Sequence, residues 1–397
     1  MADMESRETA LRALEERLVQ FALARADVEP ITVALGEALT SIGLPLDEIR
    51  VGARTLHPEI DAIGVTWTAD QAPDTGVWRH ADDTRDIWLN SPLYHMLTSG
   101  ELRMRRPLWD PACPMDFAVF EELREQGYTD YLAHMVPVGG RRQGRPEGFI
   151  VRWLSCRPQG FETDDLAVFD RLVPCLVAAC EPGRERAIAR DLLGAYLGPR
   201  SGAAVLTGAV QPGHTESLEA VILVADLTGF TAASDTMPGA RLVDFLDRHF
   251  DAMVPPIEAE GGEILAFLGD GFLAAFDVAG DPAGACARGV AAARAIHDRV
   301  AAFRAREPEA LPVDIALHIG TVRYGNVGAG GRQAFTVIGP AVNLASRIEA
   351  LCRPLKCPIL MSAEVAAHLP ADAVDDMGMH PVRGMAVEIP LFSLKQR

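Results

Sequence analysis

Four polar side chains in the C-terminal half have types and spacings that could do phosphate chemistry. Asp226 ends the apolar run Val221–Ala225 and is followed by Leu227 and the turn Thr228-Gly229-Phe230-Thr231. A carboxylate at the mouth of a buried strand, beside a glycine turn and a helix start, can hold a cation against a phosphate. It can equally cap the helix that follows. Asp270 sits in Gly269-Asp270-Gly271 between the apolar runs Ile264–Leu268 and Phe272–Phe276, which read as a hairpin with a carboxylate at its tip. If that hairpin lies beside the first strand, the two carboxylates converge. Two convergent carboxylates with little else suit a pair of Mg2+ ions that keep open positions for water and phosphate oxygens. Asn343 and Arg347 are four residues apart, on one face of a helix that Pro340 begins. An amide and a guanidinium so placed can orient a sugar oxygen and neutralise charge on a phosphate; a solvent-facing pair is the plain alternative.

These residues need a scaffold. The spacing predicts an amphipathic helix over 239–254, the hairpin, and an alanine-rich helix over 281–306 with arginines on its polar side. It then predicts a strand over 313–319, a glycine-rich hairpin over 325–331, a strand over 333–338 and a helix over 340–351. Upstream, helices are expected over 8–26 and 30–44, strands over 49–55, 63–68, 130–138 and 148–154, a helix over 117–126 and a closing helix over 163–179. The segment 93–97 begins a helix or an irregular stretch. From Glu181 to Leu197 the chain is charged and helix-prone. Gly198, Gly202, Gly208 and Pro212-Gly213 then read as a loop.

The length of 397 residues implies two domains. The formal charge of −18 opposes nucleic acid and anionic membrane as partners. Seven cysteines without a C-x2-C pair indicate neither a zinc site nor a disulfide framework, which suits reduced thiols in the cytoplasm. There is no signal-peptide core and no membrane-length apolar run. All five tryptophans lie in the N-terminal half, and core positions are the expectation for them. His57, His80, His95 and His134 have no metal-ligand spacing.

The segments ADLTGFT, GDGFLAAF and GNVGAGGRQAFTVIGPAVNLASRIE, in this order, resemble the catalytic domain of class III nucleotidyl cyclases, over about residue 220 to the C-terminus. It implies a cyclase domain at 217–397 with a ferredoxin-like βαββαβ core. Upstream, the order of helices and strands and the closing helix DLAVFDRLVPCL resemble GAF-like sensor domains, so the expected organisation is α+β, with a GAF-like sensor domain at 1–180 and a helical connector and loop at 181–216. The cyclase resemblance implies Asp226, Asp270 and the Leu227 carbonyl as ligands for two Mg2+ or Mn2+ ions, and Asn343 and Arg347 as the catalytic pair. Phe230, Thr231 and Arg383 would meet the phosphates, with Arg383 where a lysine is usual. Ala266 and Thr336 would meet the base. Thr336 fits a subgroup that selects adenine, whereas Ala266 replaces an expected lysine and makes no side-chain hydrogen bond. The implied enzyme is an adenylate cyclase acting as a head-to-tail homodimer, with an unknown small ligand at the N-terminal domain. A cyclase of another base and an inactive nucleotide-binding module are the competing readings.

Overall fold

The computed structural model describes residues 2–80, 85–142, 145–209, 211, 215–329 and 332–395. The chain divides into two compact units, 1–195 and 196–397.

Unit 1 runs α1 (Ala2–Ala24), α2 (Val28–Ser41), β1 (Glu48–Arg54), β2 (Ile60–Thr68), β3 (Gln71–Arg79), α3 (Arg85–Leu89), α4 (Pro92–Ser99) and β4 (Arg103–Arg106). It continues with α5 (Ala118–Glu125), β5 (Asp130–Arg142), β6 (Arg145–Ser155) and most of α6 (Thr163–Leu197). Its six strands form an antiparallel sheet in the order β3-β2-β1-β6-β5-β4. Alternation sends Ile49, Val51, Phe149, Val151 and Trp153 to one face, where they bury against leucines of α1 and α2 and the apolar stripe of α6. On the other face Tyr131, Ala133 and Met135 bury against Met96 of α4 and Phe120 of α5.

Several expectations need correction here. The 93–97 segment is helical, and β3, β4 and α3 escaped the pattern. β3 is mostly exposed, so it carries no apolar alternation. Trp67 and Trp153 are core, but Trp78 is only half-buried, and Trp88 and Trp109 are 38% and 47% exposed. The closing helix does not stop at 179. It runs on to Leu197 through Pro174 and Pro182. Gly183 lets the Ala26 carbonyl approach where a side chain would sit 2.0 Å away. Arg184 also clamps that turn through Glu181 and Glu185.

Unit 2 contains α7 (Pro199–Leu206), β7 (Thr215–Leu227), α8 (Phe230–Ser234), α9 (Gly239–Ala259), β8 (Glu263–Leu268), β9 (Gly271–Asp277) and α10 (Pro282–Arg306). Then come β10 (Val313–Ala329), β11 (Arg332–Ile338), α11 (Pro340–Leu355), β12 (Ile359–Ser362), α12 (Ala363–Ala366), β13 (Val374–His380) and β14 (Ile389–Leu394). The sheet order is β13-β14-β12-β10-β7-β9-β8, with β11 attached to β10 alone. The segment β7-α9-β8-β9-α10-β10 is a βαββαβ unit.

β7 sits between β9 and β10 and is buried on both faces. Val221, Leu223 and Ala225 point to α9 and α10, while Ala220, Ile222 and Val224 point towards α11 and β11. A helix, α7, occupies part of the stretch read as a loop. Ser201 Oγ and Tyr324 Oη are 2.6 Å apart, and Arg200 pairs with Asp277 at 2.8 Å. The tip of the glycine-rich hairpin, 330–331, lies outside the described residues.

Gly36 of α2 packs so closely on Trp67 that an added Cβ would lie 2.3 Å from the indole. Alanine in a helix interior normally gains about 1 kcal/mol over glycine. Here the expected result of Gly36→Ala is a loss of roughly 1–2 kcal/mol from overpacking, read by urea unfolding monitored through tryptophan fluorescence.

Candidate active site

The strand order brings Asp226 and Asp270 together. Ala225 pairs with Phe272 across β7 and β9, so Asp226 lies beside Gly271, the first residue of β9. An added Cβ on Gly271 would sit 2.2 Å from the Ala225 carbonyl and 2.9 Å from Asp226 Oδ1. Glycine is therefore what lets the hairpin close on the aspartate. Leu268 pairs with Gly271, which leaves Gly269, at φ +75°, and Asp270 as the tip.

Two further carboxylates join them, and both went unnoticed in the sequence. Asp314 is the register partner of Asp226 across β7 and β10, so the two share a face. Glu349 comes from α11. Burial, with the charges of Asp270 and Asp314, pushes the Asp226 carboxyl up to about 6. Burial and the three aspartates push Glu349 up to about 7. Asp270 and Asp314 are also raised by burial, although a hydrogen bond from Thr228 Oγ1 to Asp314 Oδ2 at 2.8 Å opposes the shift in Asp314. The alternating pattern of β10 could have flagged Asp314; nothing local marks Glu349.

The donor set fits a divalent cation. Half-buried carboxylates raising one another's affinity for protons are short of positive charge, which metal ions would supply. Among the described residues no three His, Cys, Asp or Glu side chains are grouped tightly enough to hold a metal by themselves.

The remaining candidates divide by place. Leu227 is buried by its side chain at the end of β7, and the Thr228 amide donates to the Pro312 carbonyl at 2.9 Å, anchoring the turn. Gly229 turns the chain at φ +91° into α8. Phe230 packs its ring on the main core, so only its backbone faces the turn's chemistry, while Thr231 is exposed.

On α11, Asn343 is exposed and Arg347 half-buried, with its guanidinium 3.4 Å from the position of a Cβ on Gly384. The exposed Arg383 is thus in the loop that Arg347 lies against. At 3.6 residues per turn Asn343 and Arg347 are about 40° apart, and Glu349 is about 200° beyond Arg347. Asn343 and Arg347 therefore point away from the carboxylates of their own chain. Ala266 lies half-buried on edge strand β8, next to a bulge, and Thr336 pairs with Gly325 on β11, which approaches β8.

Residues 214–395 match the family model of the adenylate and guanylate cyclase catalytic domain. An uncharacterised Mycobacterium tuberculosis protein is 32% identical over 233 residues, covering 54% of this chain and 43% of that protein. An adenylate cyclase of Anabaena cylindrica is 33% identical over 168 residues, covering 40% and 32% respectively. The adenylyl cyclase CyaB from P. aeruginosa overlays with a TM-score of 0.40 at 25% identity, covering 46% of this chain and 97% of that structure. The chain spans less than half the length of the curated relatives it matches.

The raised carboxyls make metal-free stability depend on pH. A carboxyl whose folded pKa is raised contributes stability that is complete below its unfolded value and lost as pH climbs through the folded one. For Asp226 and Glu349 that loss falls between about pH 4 and 7. In EDTA, the calorimetric transition that Mn2+ shifts should lie lower at pH 8 than at pH 5, and Asp226→Asn should raise it at pH 8. The effect should be on the order of 1 kcal/mol, since solvent screens half-exposed charges. Mn2+ should raise the wild-type transition more at pH 8 than at pH 5.

Proposed function

With residues 214–395 forming an adenylate and guanylate cyclase catalytic domain, we propose that the chain is an adenylate cyclase, converting ATP to 3′,5′-cyclic AMP and pyrophosphate. The observation that carries this reading is the convergence of Asp226 and Asp270 on one cation-poor point at the end of β7. Two Mg2+ or Mn2+ ions held by Asp226, Asp270 and the Leu227 carbonyl would supply Lewis acidity towards the ribose 3′-hydroxyl and the triphosphate.

The rest falls to the chain's own groups. The backbone at Phe230 and Thr231 lies beside the phosphates, and Arg383 holds the terminal ones through its fork of donors. Asn343 aligns the ribose so that its 3′-oxygen stands in line with the α-phosphorus and the leaving pyrophosphate. Arg347 donates to the α-phosphate oxygens as charge gathers there. No covalent bond to the enzyme is made.

The phase of α11 supports a homodimer. Asn343 and Arg347 face away from their own carboxylates, so a two-fold arrangement lets each copy complete the other's site. Residues 217–397 would be the catalytic part. Residues 1–180, with a six-stranded antiparallel sheet packed by helices, support a GAF-like sensor for a small ligand. The helix that runs unbroken through 181–197 suits a connector that carries its state onward. The seven cysteines are unpaired, in keeping with a cytoplasmic protein.

Base choice has a second reading. Ala266 offers the base no hydrogen bond, so GTP competes with ATP on this position alone, and Thr336 favours adenine. Turnover compared across ATP, GTP, CTP and UTP with Mn2+ decides between them, and Ala266→Lys should shift preference towards ATP by roughly tenfold or more.

Asp226→Asn or Asp270→Asn should reduce turnover at least a thousandfold, measured as product formed with Mn2+. Near-normal activity in either would sink the metal assignment. Each of Asp226→Asn and Arg347→Ala should be inactive alone. Mixed and allowed to exchange subunits, they should recover about a quarter of wild-type activity, because half the dimers are mixed and each of those has one intact site. No recovery on mixing counts against the shared site.

A further inference from the structure

Where β7 leaves for α8 and β10 enters the sheet, unit 2 holds a cavity of about 250 Å3 that none of the roles above uses. Its inner walls, such as Val300 of α10 and Val313 of β10, are apolar. Its rim is basic: His297 and Arg304 come from α10, and Arg353 and Lys356 from the end of α11. Such a ring is out of character in a chain of formal charge −18.

Arg304 Nε donates to the Ala310 carbonyl at 3.3 Å. Among the described residues, Arg353 and Lys356 form neither a side-chain hydrogen bond nor an ion pair. Asp314 also lines the cavity, where Thr228 Oγ1 already occupies its Oδ2 and Arg353 acts on it from a distance. With three permanent cations against that carboxylate, the lining carries an excess of two positive charges even when His297 is neutral. Lys356 stands at φ +54°, a left-handed position that glycine or asparagine fills more easily. Cations at the end of α11 also oppose its carbonyl dipole. That accounts for Arg353 and Lys356, and for Arg304 in the last turn of α10, each at its own helix end, but not for the two helix ends and His297 converging on one opening.

We propose that this cavity is an anion site that takes a compact oxyanion of about two negative charges, of the phosphate class, on Arg353, Lys356 and Arg304. The volume admits a phosphate-sized group together with water around it. Through Thr228 and Asp314 an occupant touches the turn that carries Asp226. A change in the field at Asp314 then reaches the carboxylate cluster, and by linkage metal and anion alter each other's affinity. The binding itself does not depend on the cyclase reading.

The test is calorimetric titration of inorganic phosphate into the full-length chain in EDTA, which removes metal-bridged binding at Asp226 and Asp270. Peptide-resolved alkylation of Cys357, which lines the cavity, runs alongside. Saturable binding is expected, with alkylation of Cys357 slowed several-fold. Affinity should fall at least tenfold in Arg353→Ala/Lys356→Ala. Both positions are exposed, so the fold should survive, as a thermal midpoint near the wild-type value would verify. No saturable binding, or binding that the double variant keeps, overturns the proposal. Succinate is the second arm: phosphate bound at least tenfold tighter than succinate supports the assignment, and succinate bound as well or better overturns the phosphate class.

Discussion

Everything in unit 2 answers to one electrostatic constraint: Asp226 is a carboxylate that follows the buried run of the central strand β7, with two more carboxylates acting on it. A hydrophobic strand can end in a charge only if water, a counterion or a proton meets it there. The shift of its carboxyl to about 6 measures how poorly the protein alone does this. The surroundings intensify the demand. Gly271 allows the hairpin to close on Asp226, the register of β10 places Asp314 directly across, and α11 adds Glu349. The one arginine charge felt in the cluster is that of Arg353 on Asp314, and it does not offset the burial there. Arg347, the cation nearest in sequence to Glu349, is turned instead to the far side of the helix.

That rotation gives α11 two functions. One face supplies Ala341, Ala345 and Ile348 to buried clusters that anchor the helix on the sheet. Anchoring fixes the phase of every other residue on it. Glu349 then falls towards the carboxylates, while Arg347 falls towards the loop of Arg383 and Gly384 and Asn343 is left exposed on the same side of the helix. Negative charge collects on one side of the helix and donors on the other. In the proposed homodimer, a two-fold axis would bring the donors of one copy to the carboxylates of the other.

Some of this was legible in the sequence and some was not, for physical reasons. Asp226 and Asp270 could be read because each terminates an uninterrupted apolar run, and a charge in that position is conspicuous. Asn343 and Arg347 could be paired because helical spacing is local. Glu349 could not be placed, because its direction depends on how α11 packs. Asp314 depends equally on strand register, which is set across nearly ninety residues of chain. In unit 1, β3 escaped notice because its residues face solvent. The helix end expected at 179 was misplaced because Pro182-Gly183, normally a breaker, is held by packing against Ala26 and by the clamp of Arg184.

The two ends of the nucleotide site also differ in mechanical character. The carboxylates sit at the centre of the sheet, where β7 is paired on both sides and its neighbours are fully buried. Ala266 and Thr336, proposed above to face the base, sit on edge strand β8, beside a bulge and followed by the exposed Phe267 and Leu268, and on β11, which the sheet holds by one strand only. An edge strand and a singly paired strand tolerate substitution far better than a central one, because fewer packed contacts depend on them. Changing the base reader therefore disturbs little of the catalytic geometry, whereas moving Asp226 disturbs nearly all of it. An alanine at position 266 is compatible with a fully formed phosphate site for that reason. In the proposed role, the position would bear on which nucleotide is chosen, not on whether the chemistry can proceed.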